Sequence, residues 1–379
     1  MNIWKVSKRP HGRKRMDEKA LQGLREQIDA IDRQLRLLLN ERAACALKVA
    51  DIKSASGRVA TTPFYRPERE AQIIERLRTE NEGPLSDDSV ERLFREIISC
   101  CLSLEQPINI AYLGPSGTYT EAATIRQFGH FATTSPVSSI EEVFREVESG
   151  DAHYGVVPVE NSTEGMVNHT LDCFMATSLS ICAEVELPIH HALLAGMGTT
   201  QDEIDCVYSH EQSLAQCRRW LDAHLPHVER RPVASNAEAA RLAGELERSA
   251  AIAGEVAGDS YGLVVLHRNI EDLADNTTRF LVIGDQIVGP SGHDKTSILV
   301  STRDEPGALY KVLEPFHRSG ISLSRIETRP ARSSNWSYVF FIDFDGHQSS
   351  VEIATVLEEV RSVSLDVRSL GSYPQAVGR

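Results

Sequence analysis

A single apolar stripe between residues 21 and 52 restricts the fold of this 379-residue chain more than any other feature. Its members follow one another at alternating intervals of three and four residues, which is typical of a long helix packed along one face. They are Leu21, Leu24, Ile28, Ile31, Leu35, Leu38, Arg42, Cys45, Val49 and Ile52. One long helix cannot bury such a stripe by itself, so we expect this segment to dimerise.

Two shorter helices are predicted after the long one. Gly57 and Pro63 interrupt the first pattern, and Pro67 suits the first turn of a second helix. Ser86 and the two aspartates that follow it can cap a third helix. Residues 17–106 are therefore predicted to form an all-α domain of three helices that intertwines with a second copy.

Beyond Pro107, short apolar strands alternate with helices, which indicates an α/β domain with buried parallel strands over residues 108–286. Two alternating blocks and a returning strand near Phe280 predict two lobes with a cleft between them, resembling periplasmic binding proteins. A turn-rich linker follows. Residues 295–373 then read β-α-β-β-α-β, the order of a ferredoxin-like α+β domain.

Charge and cysteine content narrow the function classes. The net charge of −14 argues against a nucleic-acid partner, and it requires basic side chains to be concentrated at the sites if the substrates are anions. No run of about 18 apolar residues is present, so no membrane association is expected. Seven cysteines without a C-x-x-C pair indicate a reducing cytoplasm and neither zinc nor a disulfide framework.

Two cations of the long helix are predicted to face the same interior. Arg42 occupies a position of the stripe that should be apolar, and a buried guanidinium needs an anion. Lys53 lies eleven residues later, about 20° around the helix and roughly 16 Å along it. The pair can therefore hold an anionic ligand, or alternatively form a structural ion pair with Glu70 or Glu105.

Residues 18–106 resemble the helical chorismate mutase family. The matching segments are Leu24-Arg25-Glu26, Glu41-Arg42, Lys53, Pro67-Glu68-Arg69-Glu70 and Phe94-Arg95-Glu96-Ile97-Ile98. The resemblance implies that chorismate is the substrate and that the reaction, a pericyclic rearrangement, needs positioning and donors rather than a nucleophile.

The same resemblance implies a role for each residue of the mutase site. Arg42, together with Arg25 from the partner subunit, would bind the two carboxylates, and Lys53 would donate to the ether oxygen. The remaining implied residues are Arg69, Glu70, Cys101 and Glu105. Two of them depart from the enterobacterial pattern, because Cys101 replaces a serine and Glu105 replaces a glutamine. An ionised Glu105 cannot donate a hydrogen bond, so it must be protonated or Lys53 must act alone.

Four polar segments end strands of the α/β part and are expected to line one cleft, because ligands sit beyond the carboxyl ends of strands in such sheets. They are Gly114–Thr120, Val157–Gly165, Tyr208–Gln212 and Asp275–Phe280. Their order resembles prephenate dehydratase over residues 108–285. The resemblance implies Thr278 as the acid that assists loss of the hydroxyl, ahead of His210, and Arg279 as the ligand of a carboxylate. The other implied site residues are Thr118, Glu160, Asn161, Ser162, Thr163, Ser209 and Gln212.

The C-terminal part resembles the ACT domain of dehydratases over residues 295–373. Its motifs are Asp304-Glu305-Pro306-Gly307-Ala308-Leu309-Tyr310 and Glu327-Thr328-Arg329-Pro330. The resemblance implies that L-phenylalanine is an effector bound by Gly307, Ala308, Leu309 and Glu327 between two such domains. Tyr310 and Thr328 depart from the usual residues. The alternative is a small dimerisation domain without a ligand.

Two rival functions remain open at this point. A mutase fused to prephenate dehydrogenase would need a G-x-G-x-x-G nucleotide-binding turn, which the sequence lacks. A two-lobed amino-acid sensor with an ACT module would not need Arg25, Arg42, Lys53 and Glu70. The favoured prediction is a bifunctional enzyme that uses chorismate and prephenate as a homodimer or larger homo-oligomer. Both substrates are small dianions whose conversion requires no cofactor and no metal.

Overall fold

The computed structural model describes residues 12–55, 65–303, 305–330 and 338–376. The predicted break near Gly57 and Pro63 lies outside these residues. The chain divides into two compact units, one made of residues 1–62 and 104–106 and the other of residues 63–103 and 107–379. None of the described helices is long and apolar enough to cross a membrane.

Helix α1 (Gly12–Ala55) makes up most of the first unit. Its 44 residues correspond to roughly 65 Å at 1.5 Å per residue. The large apolar side chains of the predicted stripe are exposed in the single chain, from 43% at Val49 to 70% at Ile52. The chain therefore leaves this stripe uncovered, as the dimer prediction requires.

The second unit begins with helix α2 (Pro67–Thr79) and includes most of helix α3 (Asp87–Glu105). Pro67 occupies the first helical position, where its missing N–H costs nothing. Two ion pairs join the helices: Arg95 Nη1 lies 2.6 Å from Glu70 Oε1, and Arg78 Nη1 lies 2.7 Å from Glu91 Oε2.

The α/β part alternates strands and helices as predicted. Its strands are β1 (Asn109–Leu113), β2 (Thr133–Val137), β3 (Tyr154–Asn161), β4 (Gly165–Met166), β5 (Ser180–Pro188), β6 (Ala192–Ala195), β7 (Cys206–His210), β8 (Glu229–Val233), β9 (Ser249–Ala253), β10 (Val264–His267) and β11 (Thr277–Gly284). Its helices are α4 (Tyr119–Phe128), α5 (Ile140–Ser149), α6 (Asn168–Ala176), α7 (Glu211–Gln216), α8 (Arg218–His224), α9 (Asn236–Glu245) and α10 (Glu255–Tyr261).

These strands form two sheets, one in each lobe. The first lobe has the order β2-β1-β3-β11-β5 with β4 added to β3, and the second has the order β10-β6-β9-β7-β8. The expectation of parallel strands is only partly correct, because both sheets are mixed. In the first lobe β1 runs parallel to β2 and β3, whereas β11 returns from the second lobe antiparallel to β3 and β5.

The C-terminal part has the predicted β-α-β-β-α-β order. Its elements are β12 (Asp294–Ser301), α11 (Ala308–Arg318), β13 (Leu323–Pro330), β14 (Tyr338–Asp345), α12 (Val351–Val363) and β15 (Asp366–Pro374). The antiparallel sheet β13-β14-β12-β15 presents Phe340 and Ile342 to its own helices, whereas Val339 and Phe341 enter the core of the first lobe. One face of this sheet is therefore packed on the first lobe.

Candidate functional site

A cleft of about 230 Å³ lies between the two lobes. Polar side chains from strand ends and helix starts line it. From the first lobe and the segment leading into β11 these are Thr118, Tyr119, Asn161, Glu164, Asn276 and Thr278; from the second lobe they are His210, Gln212, Ser213, Gln216, Ser235 and Asn236. The four polar segments singled out in the sequence therefore meet at one cleft.

Thr278 and Asn161 form the central pair of this cleft. They are opposite each other in the β11–β3 register, and Asn161 Nδ2 donates to Thr278 Oγ1 over 2.8 Å. The orientation of the Asn161 amide follows from its other contacts, because its Oδ1 accepts from the backbone N–H groups of Thr163 (2.9 Å) and Glu164 (3.1 Å). The Thr278 oxygen thus acts as an acceptor toward Asn161, which leaves its own proton available for donation.

The loop after β3 fixes Asn276 beside this pair. Asn276 Oδ1 lies 3.0 Å from Asn161 Nδ2 and 3.3 Å from Thr163 Oγ1. Ser162 Oγ accepts from the backbone N–H of Thr277 over 3.0 Å. Ser162 and Thr163 therefore hold the backbone that leads into Thr278, and neither is among the residues that line the cleft.

A tight turn brings the N-terminus of α4 to the cleft. Thr118 is the N-cap of this helix, and its side chain accepts from the backbone N–H of Glu121. Gly117 has φ = 85°, and a Cβ placed there would lie 2.9 Å from a ring carbon of Tyr261. Only glycine suits this turn, and the Gly117 N–H donates to the Glu121 carboxylate of the same helix over 2.5 Å.

In the second lobe, the predicted site residue Ser209 lies behind the residues that line the cleft and contacts one of them, Asn236. Its side chain is fully buried, with Oγ 2.9 Å from Asn236 Oδ1 and 2.7 Å from the carbonyl oxygen of Ile252. Asn236 in turn donates to Ser213 Oγ over 2.9 Å. Ser209 therefore positions Asn236, which begins α9 and lines the cleft itself.

The sequence analysis expected basic side chains to be concentrated at the substrate sites, and the cleft does not show this concentration. Among the described residues that line it, none is lysine or arginine. His191 contributes a ring that lies 2.8 Å from Tyr119 Oη and 2.7 Å from Gln216 Oε1. Burial lowers the pKa of His191, so the ring is neutral at pH 7.

Two predicted site residues of the first lobe point elsewhere. Arg279 is buried on the opposite face of β11, where Nε contacts Glu184 at 2.8 Å and Nη1 contacts Asp343 at 2.7 Å. Glu160 is ion-paired with Arg325 of β13. The structure brings neither side chain to the cleft, because consecutive residues of a strand face opposite sides of its sheet.

In the first unit, three of the residues predicted for the mutase site come together. Lys53 Nζ lies 3.8 Å from Glu105 Oε2, and the positive charge of Arg42 also attracts the Glu105 carboxylate. Burial raises the pKa of Glu105 above its usual 4.5, although Lys53 and Arg42 oppose the shift. Arg25 is exposed on α1.

The second unit carries the remaining residues predicted for the mutase site. Arg69 is exposed, and Cys101 is buried. Glu70 is buried against Arg95, and burial raises the pKa of Glu70 despite that cation. Arg95 also contacts Glu91 at 3.0 Å, so Glu70 belongs to an ionic network between α2 and α3.

The residues predicted to bind the effector lie at the start of α11 and on β13. Gly307 has φ = 80° and forms the N-cap, followed by Ala308 and Leu309 in the first turn. Glu327 is half-buried at the middle of β13. Asp304, the first residue of the motif, lies outside the described residues.

Three protein families match successive parts of the chain. Residues 24–106 match chorismate mutase type II, residues 110–287 match prephenate dehydratase, and residues 296–362 match the ACT domain. The bifunctional chorismate mutase/prephenate dehydratase of Pseudomonas aeruginosa is 54% identical over 362 residues, which cover 95% of this chain and 99% of the relative. The chain belongs to the bifunctional chorismate mutase/prephenate dehydratase family.

Other family members and a solved structure agree with this assignment. The bifunctional enzyme of Stutzerimonas stutzeri is also 54% identical and covers 94% of this chain and 98% of its own length. The crystal structure of prephenate dehydratase from Arthrobacter aurescens in complex with L-Phe has a TM-score of 0.66 and 36% identity, and it covers 71% of this chain and 90% of that chain.

Within this bifunctional family member, sequence reasoning missed several residues of the dehydratase cleft. Asn236 and Ser235 could have been recognised from the Ser-Asn pair that opens a helix, which is an N-cap signal. His191 carried no signal, because it follows a strand without a motif. Asn276 was within the recognised segment but was assigned no role.

Proposed function

We propose that this chain rearranges chorismate to prephenate and then converts prephenate to phenylpyruvate, with L-phenylalanine as its inhibitor. The names of the relatives support both reactions. The observation that carries the second reaction is the Thr278–Asn161 pair, which leaves the Thr278 hydroxyl proton free for donation in the cleft between the two lobes. The phenylalanine complex of the Arthrobacter aurescens dehydratase supports the choice of effector.

The dehydratase reaction requires one hydrogen-bond donor and a site that excludes water. Loss of carbon dioxide and of the ring hydroxyl creates an aromatic ring, so the reaction has a large driving force. Thr278 donates to the departing hydroxyl, and Asn161 holds the threonine oxygen in place. Because the described lining lacks lysine and arginine, the N-termini of α4 and α9 are the groups that favour the substrate carboxylates.

The mutase reaction requires that the chorismate dianion is held in a compact conformation and that a hydrogen-bond donor faces its ether oxygen. Arg42 receives a carboxylate, and Lys53 donates to the oxygen as the carbon–oxygen bond breaks. Arg69, Glu70 and Cys101 are the further residues that we propose for chorismate binding, on the basis of the family resemblance. Arg25 is supplied by a second copy, which covers the exposed stripe of α1 and makes the enzyme a homodimer or a larger homo-oligomer.

The raised pKa of Glu105 predicts a pH-dependent mutase. Above that pKa the ionised carboxylate is paired with the Lys53 ammonium group and cannot donate to the ether oxygen. Below that pKa the protonated group can donate. Mutase activity is therefore expected to rise as the pH falls from neutral toward the raised pKa, and Glu105→Gln is expected to flatten the profile. The measurement is kcat for chorismate as a function of pH in both proteins. Parallel profiles would contradict the role of Glu105.

We propose that L-phenylalanine binds at the N-terminus of α11, where Gly307, Ala308 and Leu309 surround its carboxylate and the positive helix end favours the charge. The Ala308 N–H already donates to the carbonyl oxygen of Glu305 over 3.2 Å. Glu327 on β13 is the proposed partner of the phenylalanine ammonium group. We further propose that the enzyme works in the cytoplasm, because all seven cysteines are free thiols, as a reducing compartment maintains them.

A one-pot assay tests the proposed function. Purified full-length protein supplied with chorismate alone is expected to form phenylpyruvate, and adding L-phenylalanine is expected to slow consumption of prephenate by at least about tenfold, within the usual range of allosteric coupling. Prephenate that accumulates without phenylpyruvate would exclude the dehydratase. Bound phenylalanine without any turnover of chorismate would favour the two-lobed sensor instead.

A further inference from the structure

Directly behind the Thr278–Asn161 pair, a buried ionic cluster joins the first lobe to the ACT sheet. Arg279 on β11 contacts Glu184 on β5 as well as two ACT residues, Asp343 at 2.7 Å and Tyr373 at 2.9 Å. Lys295 of β12 contacts Glu184 at 2.7 Å. The cluster therefore contains two cations and two anions that bridge two domains.

Every charged member of this cluster is at most 8% exposed. Burial alone would raise the pKa of Glu184, but Arg279 and Lys295 together hold it below its ordinary value. Buried ion pairs of this kind contribute little net stability, since the charges must first leave water. The ion pairs instead fix the orientation of the Arg279 side chain, because each guanidinium nitrogen has one defined partner.

The strand register connects this cluster to the cleft. In the β11–β3 pair, Thr278 is opposite Asn161 and the next residue, Arg279, is opposite Glu160. Since side chains alternate along a strand, the pair that faces the cleft and the pair that faces the ACT domain are adjacent on the same two strands. Glu160 is held by Arg325 of β13, so both members of the rear pair are bound to ACT residues.

We propose that Arg279 and Glu160 are positioning residues, through which the ACT residues Asp343, Tyr373 and Arg325 set the placement of Thr278 and Asn161. This inference rests on the proposed dehydratase activity and gives Arg279 a different role from the binding of a substrate carboxylate. The ACT domain is then part of the machinery that aligns the acid.

The arrangement of β13 extends the inference to regulation. Glu327, the residue proposed to bind phenylalanine, lies on the same face of β13 as Arg325 and Arg329, because the strand alternates half-buried and exposed residues. Arg329 contacts Asp172 of α6 at 2.7 Å. A ligand that displaces β13 therefore acts directly on Glu160, whose neighbour Asn161 holds Thr278.

Three variants test this inference in the full-length enzyme. Tyr373→Phe removes the hydroxyl that contacts both Arg279 and Ser297. Arg325→Gln removes the ion pair with Glu160. Both changes lie on the ACT side, outside the cleft, whereas Arg279→Lys keeps the charge but loses the three-way geometry. We expect each variant to lower the dehydratase kcat by about 10- to 100-fold, as a displacement of roughly 1 Å can do, while KM for prephenate changes less than about twofold. Mutase activity with chorismate reports that the chain is folded.

Arg368→Met is the matched control. Arg368 of β15 also joins the ACT sheet to the first lobe, but its contacts are the carbonyl oxygens of Phe174 and Thr177 at the end of α6. This variant is expected to keep the parent kcat. A large rise in KM for Arg279→Lys with unchanged kcat would assign Arg279 to substrate binding and overturn the inference. An equal loss of kcat in Arg368→Met would also overturn the inference, and so would an unchanged kcat in Tyr373→Phe and Arg325→Gln. A parent enzyme that does not convert prephenate would instead refute the proposed function itself.

Discussion

Replacing Thr278 by valine is expected to lower the dehydratase kcat by about 100- to 1,000-fold, the usual effect of deleting one preorganised donor to a developing charge. Valine keeps the branched shape of threonine, so the buried environment at this position is preserved. The loss of kcat therefore measures the contribution of the Thr278 hydroxyl group to the reaction. The measurement is phenylpyruvate formation from supplied prephenate, with chorismate consumption by the same protein as the reference.

The reason for so large an effect lies in the hydrogen-bond direction at Thr278. Asn161 donates to the threonine oxygen, so the hydroxyl proton is left for the departing group of the substrate. A threonine hydroxyl is a weak acid in water and acts only when its orientation is fixed in advance. Thr278→Ser keeps both the donor and the contact with Asn161, and it is expected to retain activity within about tenfold of the parent.

Thr277→Val supplies the comparison on the same strand. Thr277 begins β11 and is outside the cleft lining, so the same chemical deletion there is expected to leave the dehydratase rate unchanged. A Thr278→Val enzyme that forms phenylpyruvate at the parent rate would remove Thr278 as the acid. The exposed cleft residue His210 would then be the next candidate.

Local pattern was sufficient to predict most of the architecture. The three-four spacing from Leu21 to Ile52 describes α1, and the exposed stripe in the structure agrees with the expectation that one chain cannot cover it. The β-α-β-β-α-β order of the last domain is also confirmed. The direction of β11 was not predictable, because an apolar strand has the same sequence whether its neighbours run parallel or antiparallel.

Site residues were predicted less completely, for a physical reason. A motif fixes which residues are consecutive, but their roles depend on which face of the strand meets which neighbour. Thr278 and Arg279 stand side by side in the sequence and on opposite faces of the sheet. Two of the three partners of Arg279, Asp343 and Tyr373, are 64 and 94 residues away, in a domain that sequence reasoning treated as separate. By contrast, helical periodicity related Lys53 only to Arg42, and the contact of Lys53 with Glu105 is one of the ion pairs that the sequence left open as an alternative.

Replacing Lys53 by methionine is expected to lower the mutase kcat/KM by about 100- to 1,000-fold or more. Methionine is similar in length and unbranched, so it keeps the apolar packing of the stem and removes only the ammonium group. That group is the donor proposed for the ether oxygen, and its nitrogen lies 3.8 Å from Glu105 Oε2. Without it, the developing negative charge on the oxygen loses its proposed hydrogen-bond donor. The measurement is chorismate disappearance at a constant pH.

Lys48→Met is the control, because Lys48 is exposed on the same helix five residues earlier and its loss changes the charge of the chain by the same amount. Both variants are expected to convert supplied prephenate at the parent rate, since the dehydratase cleft has no described residue on α1. A mutase rate equally reduced in both would indicate a general electrostatic effect on a dianionic substrate. A Lys53→Met enzyme within about tenfold of the parent would place the donor elsewhere, with protonated Glu105 as the remaining group at that position.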